Sequence, residues 1–262
     1  AVDIARLRFW LSLVVDEDKP DALPNLDFKI MQGNSLLEQY QGIDLSELLT
    51  GKKLNMQMDI FDANLNHYRS NLNSLIKDYF NTKDYSKKFE LKKQIQQNVN
   101  EQMKAADIDV DFNSLGIDIA GNDQFFLWHT WFTDVFNTQN GCNGFDIVIG
   151  NPPYVQLQNN GGELGNLYRH CKYKTFNSMG DLYSLFYEKG WQILKEGGFL
   201  CFITSNKWMR AGYGKETRDF FVNHTNPIQL IDFAGVKIFD SATVDTNILL
   251  FENATYKGKT IC

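Results

Sequence analysis

The chain has 262 residues, 43% of them hydrophobic and 14% aromatic, enough to bury a core in one large domain or two small ones. No run approaches the roughly 20 apolar residues of a membrane span, and Asp3, Arg6 and Arg8 interrupt the apolar start, so neither a span nor a secretory leader is expected. Cys142, Cys171, Cys201 and Cys262 are dispersed and the four histidines lack ligand spacing, so no metal site and a reduced, cytoplasmic protein are expected. The net charge of −6 disfavours an overall polyanion binder, but distribution matters more than the total. From Leu164 to Arg218 there are nine Lys or Arg against four Asp or Glu. That basic stretch points modestly to phosphate; taken alone, ordinary solvated helix faces are the better reading.

Val2, Ile4, Ala5, Leu7, Phe9, Trp10, Leu11 and Leu13 give an amphipathic helix with no N-cap ahead of it, which predicts that the chain is part of something longer. A turn at Leu23-Pro24-Asn25 leads to a predicted strand, Phe28-Lys29-Ile30-Met31, ending at Gly33-Asn34. Residues 51–120 are polar, with ten basic and ten acidic side chains. Leu72, Leu75, Ile76, Tyr79 and Phe80 lie at helical spacing, as do Phe89, Ile95 and Val99, so a helical hairpin inserted into the domain is expected, as a spacer. Asp84 and Glu90-Leu91-Lys92 imitate a nuclease acidic cluster, but the surrounding lysines make a charged helix face the better reading.

After the aromatic run Phe125–Phe132 and a Gly/Asn turn at Asn140–Gly144, Phe145-Asp146-Ile147-Val148-Ile149-Gly150 reads as a buried parallel strand. A helix over 182–194 ends at Gly197-Gly198, and a strand over 199–204 follows. A helix over 208–222 and strands over 228–233 and 247–251 complete the pattern. Alternating strands and helices predict a doubly wound α/β sheet, mostly parallel, with ligands beyond the carboxyl ends of its strands. Asn151 and Thr204-Ser205-Asn206 fall at such ends. Gly161-Gly162-Glu163-Leu164-Gly165 reads as a mobile loop rather than a phosphate cradle.

Asn151-Pro152-Pro153-Tyr154, directly behind that strand, carries a specific chemistry. An exocyclic amine such as adenine N6 is a poor nucleophile because its lone pair is delocalised into the ring. Two acceptors on its two N–H groups bias the nitrogen toward a pyramidal state and free the lone pair. The Asn151 side-chain carbonyl is one such acceptor and the Pro152 backbone carbonyl the other. Pro152 and Pro153 fix φ and hold the loop rigid. Catalysis of this kind is positioning plus electrostatics. Tyr154 offers a face on which a base flipped out of the duplex can stack. A bare Pro-Pro turn after a strand is the plain alternative.

Residues 145–154 resemble the fourth motif of amino-methyltransferases that use S-adenosylmethionine, a motif shared with protein-glutamine and some RNA methyltransferases. Further runs narrow the resemblance: Ile4–Leu13, Leu23–Ile30, Gln32–Leu37, Thr204–Met209 and Ala242–Asn247. Together they are similar to gamma-class N6-adenine DNA methyltransferases of the type IIG restriction–modification family, with a TaqI-like catalytic domain. The resemblance covers the chain except the helical insert. It implies a Rossmann-like, S-adenosylmethionine-dependent fold over 1–262, incomplete because the first cofactor motif would precede residue 1, with 51–120 inserted and no target-recognition domain. It implies site-specific methylation of adenine in double-stranded DNA within a restriction–modification or phage-defence system. A nuclease and a recognition domain are then expected elsewhere in the full-length chain, and the isolated fragment is expected to be inactive. The alternatives are a protein-glutamine or RNA methyltransferase, or a non-catalytic scaffold.

Carried over by position, Asn151, Pro152, Pro153 and Tyr154 are the expected catalytic residues. Tyr154 and Phe239 would sandwich the target base. Gly33, Asn34, Ser35 and Asn151 would lie against the cofactor. Lys207 and Arg210 are expected to meet DNA phosphates.

Overall fold

A computed structural model of the chain describes residues 2–15, 26, 28–40, 43–45, 58–105, 110, 112, 114–119, 121–132, 134–136, 143–236, 238 and 244–262. Two compact units emerge, Ala1–Thr133 and Asp134–Cys262.

The first unit opens with α1 (Val2–Val15), none of whose residues is buried. Its expected apolar face is therefore open, with Leu7 52% and Phe9 58% exposed. The predicted strand at 28–31 is instead a turn, in which the Ile30 N–H donates to Leu26 O at 2.9 Å. Phe28 takes a φ of 58°, and its ring meets Tyr79 and Trp131 at 5.1 and 5.6 Å between centroids. Aromatic packing has won over local β-propensity there. β1 (Gln39–Tyr40) and β2 (Ile43–Asp44) form a small antiparallel ribbon.

The two helices expected in the insert are α2 (Met58–Asn81) and α3 (Tyr85–Ala105). Leu91, Ile95, Val99 and Met103, four apart, give α3 a continuous buried stripe. Asp84 starts α3 by accepting the Ser86 and Lys87 N–H groups at 2.8 and 3.3 Å, so the residue that imitates a nuclease acid is a helix cap. Phe125, Phe126, Leu127 and Trp131, the last in the single-turn α4 (Trp128–Trp131), are buried.

The second unit is built on a four-stranded sheet, β3 (Phe145–Gly150), β4 (Leu194–Ser205), β5 (Asn226–Asp232) and β6 (Thr246–Glu252), in the order β3-β4-β6-β5. β3 and β4 are parallel, and β6 pairs antiparallel with both β4 and β5. Three strands thus run one way, and β6 is inserted against them. The α/β expectation holds. Helices α6 (Leu182–Ile193) and α7 (Lys215–His224) supply Tyr183, Tyr187, Phe220 and Phe221 to one core with Leu200, Phe202, Leu249 and Phe251 of the sheet. α6 lies close against β4: a Cβ on Gly190 would sit 2.4 Å from Leu200 Cδ1.

Three expectations change here. β3 is not a fully buried strand, since Ile147 is 66% and Ile149 79% exposed while Val148 packs on the core. Its side chains alternate between the face covered by α6 and α7 and an open face, where Phe199 of β4, the register partner of Ile147, is also exposed. The stretch expected as one helix over 208–222 is two short 3₁₀ turns, Asn206–Met209 and Gly212–Gly214, followed by α7. Arg218 holds this shape by donating to Trp208 O and Ala211 O at 2.6 and 3.0 Å. Gly214 is required there, because a Cβ would come within 2.1 Å of the Trp208 carbonyl oxygen. Of residues 161–165, expected as a loop, Gly161 and Gly162 are non-helical, forming with Asn160 a left-handed kink inside α5 (Asn159–Tyr168), and only 163–165 are helical.

Candidate active site

Asn151 leaves the carboxyl end of β3 with its side chain exposed, and among the described residues no hydrogen bond engages its amide. Pro152 is buried and Pro153 exposed. The first proline thus anchors the turn and the second stiffens it without needing a partner for an N–H it lacks. The segment after the prolines is tied to the start of α6 by paired backbone bonds. Leu182 N–H donates to Val155 O at 2.8 Å and Leu157 N–H to Gly180 O at 2.9 Å, around a bridge between Gln156 and Asp181.

Tyr154 is half-buried between this loop and β4. Its hydroxyl donates weakly to Ile203 O at 3.4 Å. Its ring meets that of Tyr183 edge to face, 6.5 Å between centroids and 90° between planes. Partial burial raises the Tyr154 pKa, so the phenol stays neutral.

Behind Tyr154 runs a buried polar layer at the carboxyl end of β4. The Tyr187 hydroxyl and Thr204 Oγ1 are 2.9 Å apart, Thr204 donates to Asn247 Oδ1 at 3.1 Å, and the Trp208 indole donates to the same oxygen at 3.2 Å. Desolvation, the largest influence, raises the Tyr187 pKa. A second buried set lies alongside it. The Asp181 carboxylate accepts from the Tyr183 hydroxyl at 2.9 Å and lies near enough to the Tyr213 hydroxyl to perturb it. Burial first, then Asp181, pushes Tyr183 up and lifts Tyr213 to about 12. Sequence reasoning passed over Asp181, Tyr183 and Tyr213; an acidic residue just ahead of an apolar helix was the available signal.

Lys207 and Arg210 are exposed on the 3₁₀ segment following β4. Its position is set by Ser205 Oγ accepting the Lys207 N–H at 3.3 Å, by Asn206 Nδ2 donating to Asp232 Oδ1 at 2.9 Å, and by Arg218. The second unit therefore brings Asn151, Pro152, Pro153, Tyr154 and the Lys207–Arg210 segment to the same end of one sheet. Phe239, expected across the base from Tyr154, lies outside the described residues.

Gly33, Asn34 and Ser35 belong to the first unit and are half-buried. A Cβ on Gly33 would sit 2.7 Å from both Phe125 O and Phe126 Cδ2, so only glycine lets this turn lie against the aromatic run. Asn34 Oδ1 accepts the Leu36 N–H at 3.2 Å, and Ser35 O accepts from the Trp128 indole at 3.0 Å. Among the described residues no group of three His, Cys, Asp or Glu is placed to hold a metal ion, and no helix is long and apolar enough to cross a membrane.

With this geometry in place, comparison with known proteins is decisive for the family. Residues 1–239 match the family described as Eco57I restriction-modification methylase. The chain belongs to that family. The resemblance read from the motifs is borne out at this level. The type II restriction enzyme and methyltransferase RM.Eco57I of Escherichia coli is 35% identical over 113 residues, 42% of this chain and 11% of that protein. The type II methyltransferase M.BstVI of Geobacillus stearothermophilus is 31% identical over 117 residues, and M.XhoI of Xanthomonas vasicola is 32% identical over 117. Each of the latter matches covers 45% of this chain and 19% of the relative. The matched regions are thus a small part of these relatives' length.

Proposed function

We propose that the full-length protein methylates adenine N6 in double-stranded DNA, with Asn151-Pro152-Pro153-Tyr154 as its reaction centre, in a restriction–modification or phage-defence system. The observation that carries this reading is an exposed Asn151, without a hydrogen-bond partner among the described residues, set at a strand's carboxyl end on a proline-stiffened turn beside a half-buried tyrosine. Being solvent-facing, the amide can exchange water for a ligand.

The donor set suits a methyl donor and a planar base. S-adenosylmethionine supplies an electrophilic methyl group when bound. Asn151 would lie beside it. Asn151 Oδ1 accepts one N6 hydrogen and the Pro152 carbonyl the other. The lone pair then points out of the ring plane. Neither group is basic enough to take the N6 proton, which is lost to solvent once the N–CH3 bond has formed, so the centre works by orientation. Tyr154 stacks on the extruded base, with Phe239 proposed on the other side. We also propose that 51–120 is an insertion within the catalytic domain, with recognition and nuclease functions elsewhere in the full-length chain.

The test is substrate choice. The full-length protein, given labelled S-adenosylmethionine with duplex DNA, an RNA hairpin and a glutamine-bearing peptide in parallel, is expected to label the DNA alone. Label in RNA or peptide, with DNA blank, would overturn the reading. Lys207→Ala with Arg210→Ala should flatten the salt dependence of DNA binding by about 2 in log–log slope, if each side chain neutralises one phosphate. An unchanged slope would make them ordinary surface charges.

A further inference from the structure

Asp181 stands at the N-cap of α6, where an aspartate ordinarily accepts the first free N–H groups of the helix. Here its side chain makes no capping bond. The residue is 4% exposed, and no Lys or Arg among the described residues forms an ion pair with it. A buried carboxylate without a cation is costly unless strong donors satisfy it. The donor is a phenol, Tyr183, the second residue of α6, and a second phenol, Tyr213 in the 3₁₀ turn before α7, lies close by. A serine or threonine would have started the helix without that cost. The carboxylate is spent on joining segments.

What it joins is specific. Through the backbone, Asp181 is bridged to Gln156, two residues past Tyr154. Through Tyr183 it reaches the ring that meets Tyr154 edge to face, and the Tyr183 hydroxyl lies near Ser205. Ser205 Oγ accepts the Lys207 N–H. Tyr213, which the carboxylate faces, lies at the far end of the same segment, past Arg210. Asp181 is thus the group common to the supports of the proposed base-stacking ring and of the proposed phosphate-contacting segment.

We propose that Asp181 is a positioning residue for methyl transfer: its carboxylate, bonded to Tyr183 and facing Tyr213, fixes the Tyr154 ring relative to the Asn206–Gly214 segment. The inference rests on the reading of Asn151–Tyr154 as the reaction centre. DNA held by that segment is thereby presented to Tyr154 in one geometry. Without the carboxylate, DNA still binds but the extruded base is captured poorly.

The test uses Asp181→Asn and Tyr213→Phe in the full-length protein, with active sites counted by burst amplitude. Each change is expected to lower kcat per active site by about tenfold or more, since small displacements of reacting groups cost rate steeply. DNA affinity should move by less than about threefold, because binding and the reacting geometry are separable. 2-Aminopurine at the target position should show a weaker flipping signal. Placing the target adenine opposite an abasic site should recover part of the rate, because extrusion is then easier. The double variant should be no worse than the worse single one, as expected of residues acting through one contact. Tyr213 is only partly buried, so Tyr213→Phe carries the test if Asp181→Asn fails to fold. Unchanged kcat and flipping in a folded variant, or losses that vanish per active site, would overturn the positioning role while wild type still methylates DNA. A wild-type protein that methylates no DNA would instead remove the reading beneath it.

Discussion

Replacing Asn151 with Ala in the full-length protein is expected to lower the methylation rate by about 100- to 1,000-fold, the usual cost of deleting one preorganised polar group at a reacting centre. DNA affinity should change little, because the residue is exposed and its side chain engages no partner among the described residues. Fold stability should be unaffected for the same reason. A drop in rate with unchanged cofactor and DNA binding separates a role in the reaction from one in assembly. Tyr154 gives the contrasting pair. Its hydroxyl reaches Ile203 O only at 3.4 Å, so Tyr154→Phe should retain most activity. Tyr154→Ala removes the stacking face and should cost about 1–3 kcal/mol of base capture. Rate and binding measured on the three variants check the whole set; an active Asn151→Ala protein would move the reaction away from this turn.

The second large effect concerns the platform. Phe251 is fully buried in β6, with ring centroids 5.9 Å from Phe221 and 6.5 Å from Tyr187. Phe251→Ala should cost about 3–5 kcal/mol, the sum of lost transfer energy and the cavity left behind. That is a large share of the roughly 5–15 kcal/mol that stabilises a typical domain. The site should suffer with it, because Tyr187 also meets Thr204 at the end of β4. Denaturant unfolding should show a lower midpoint with a similar slope. Phe251→Leu, which refills much of the volume, should recover most of the loss. An alanine variant within about 1 kcal/mol of the parent would mean the site collapses around the cavity.

Much of this was legible in the sequence for physical reasons. The strand at 145–150, the turn behind it and the helices of the insert are specified locally, by β-branched runs, prolines and a periodic stripe. The burial of β3 was not. Ile147 and Ile149 look the same in sequence whether a neighbour covers one face or both, and only the folded sheet shows that one face of β3 is open. Phe28 was read as a strand residue because its left-handed backbone is imposed by rings far along the chain. The break at Gly212 and Gly214 depends on Arg218 capping two earlier carbonyls, a contact no periodicity encodes. Asp181 reads as a helix start, and only the folded chain brings Tyr213 to it. The tetrapeptide itself was the easiest feature to find, since its chemistry lies within four consecutive residues.

The most direct test of the central claim is the identity of the methylated product. Full-length protein is incubated with mixed-sequence duplex DNA and labelled S-adenosylmethionine, the DNA is digested to nucleosides, and the label is assigned by mass. The account predicts N6-methyladenine, lost in Asn151→Ala. Label on cytosine, or N6-methyladenine that persists in Asn151→Ala, would contradict it.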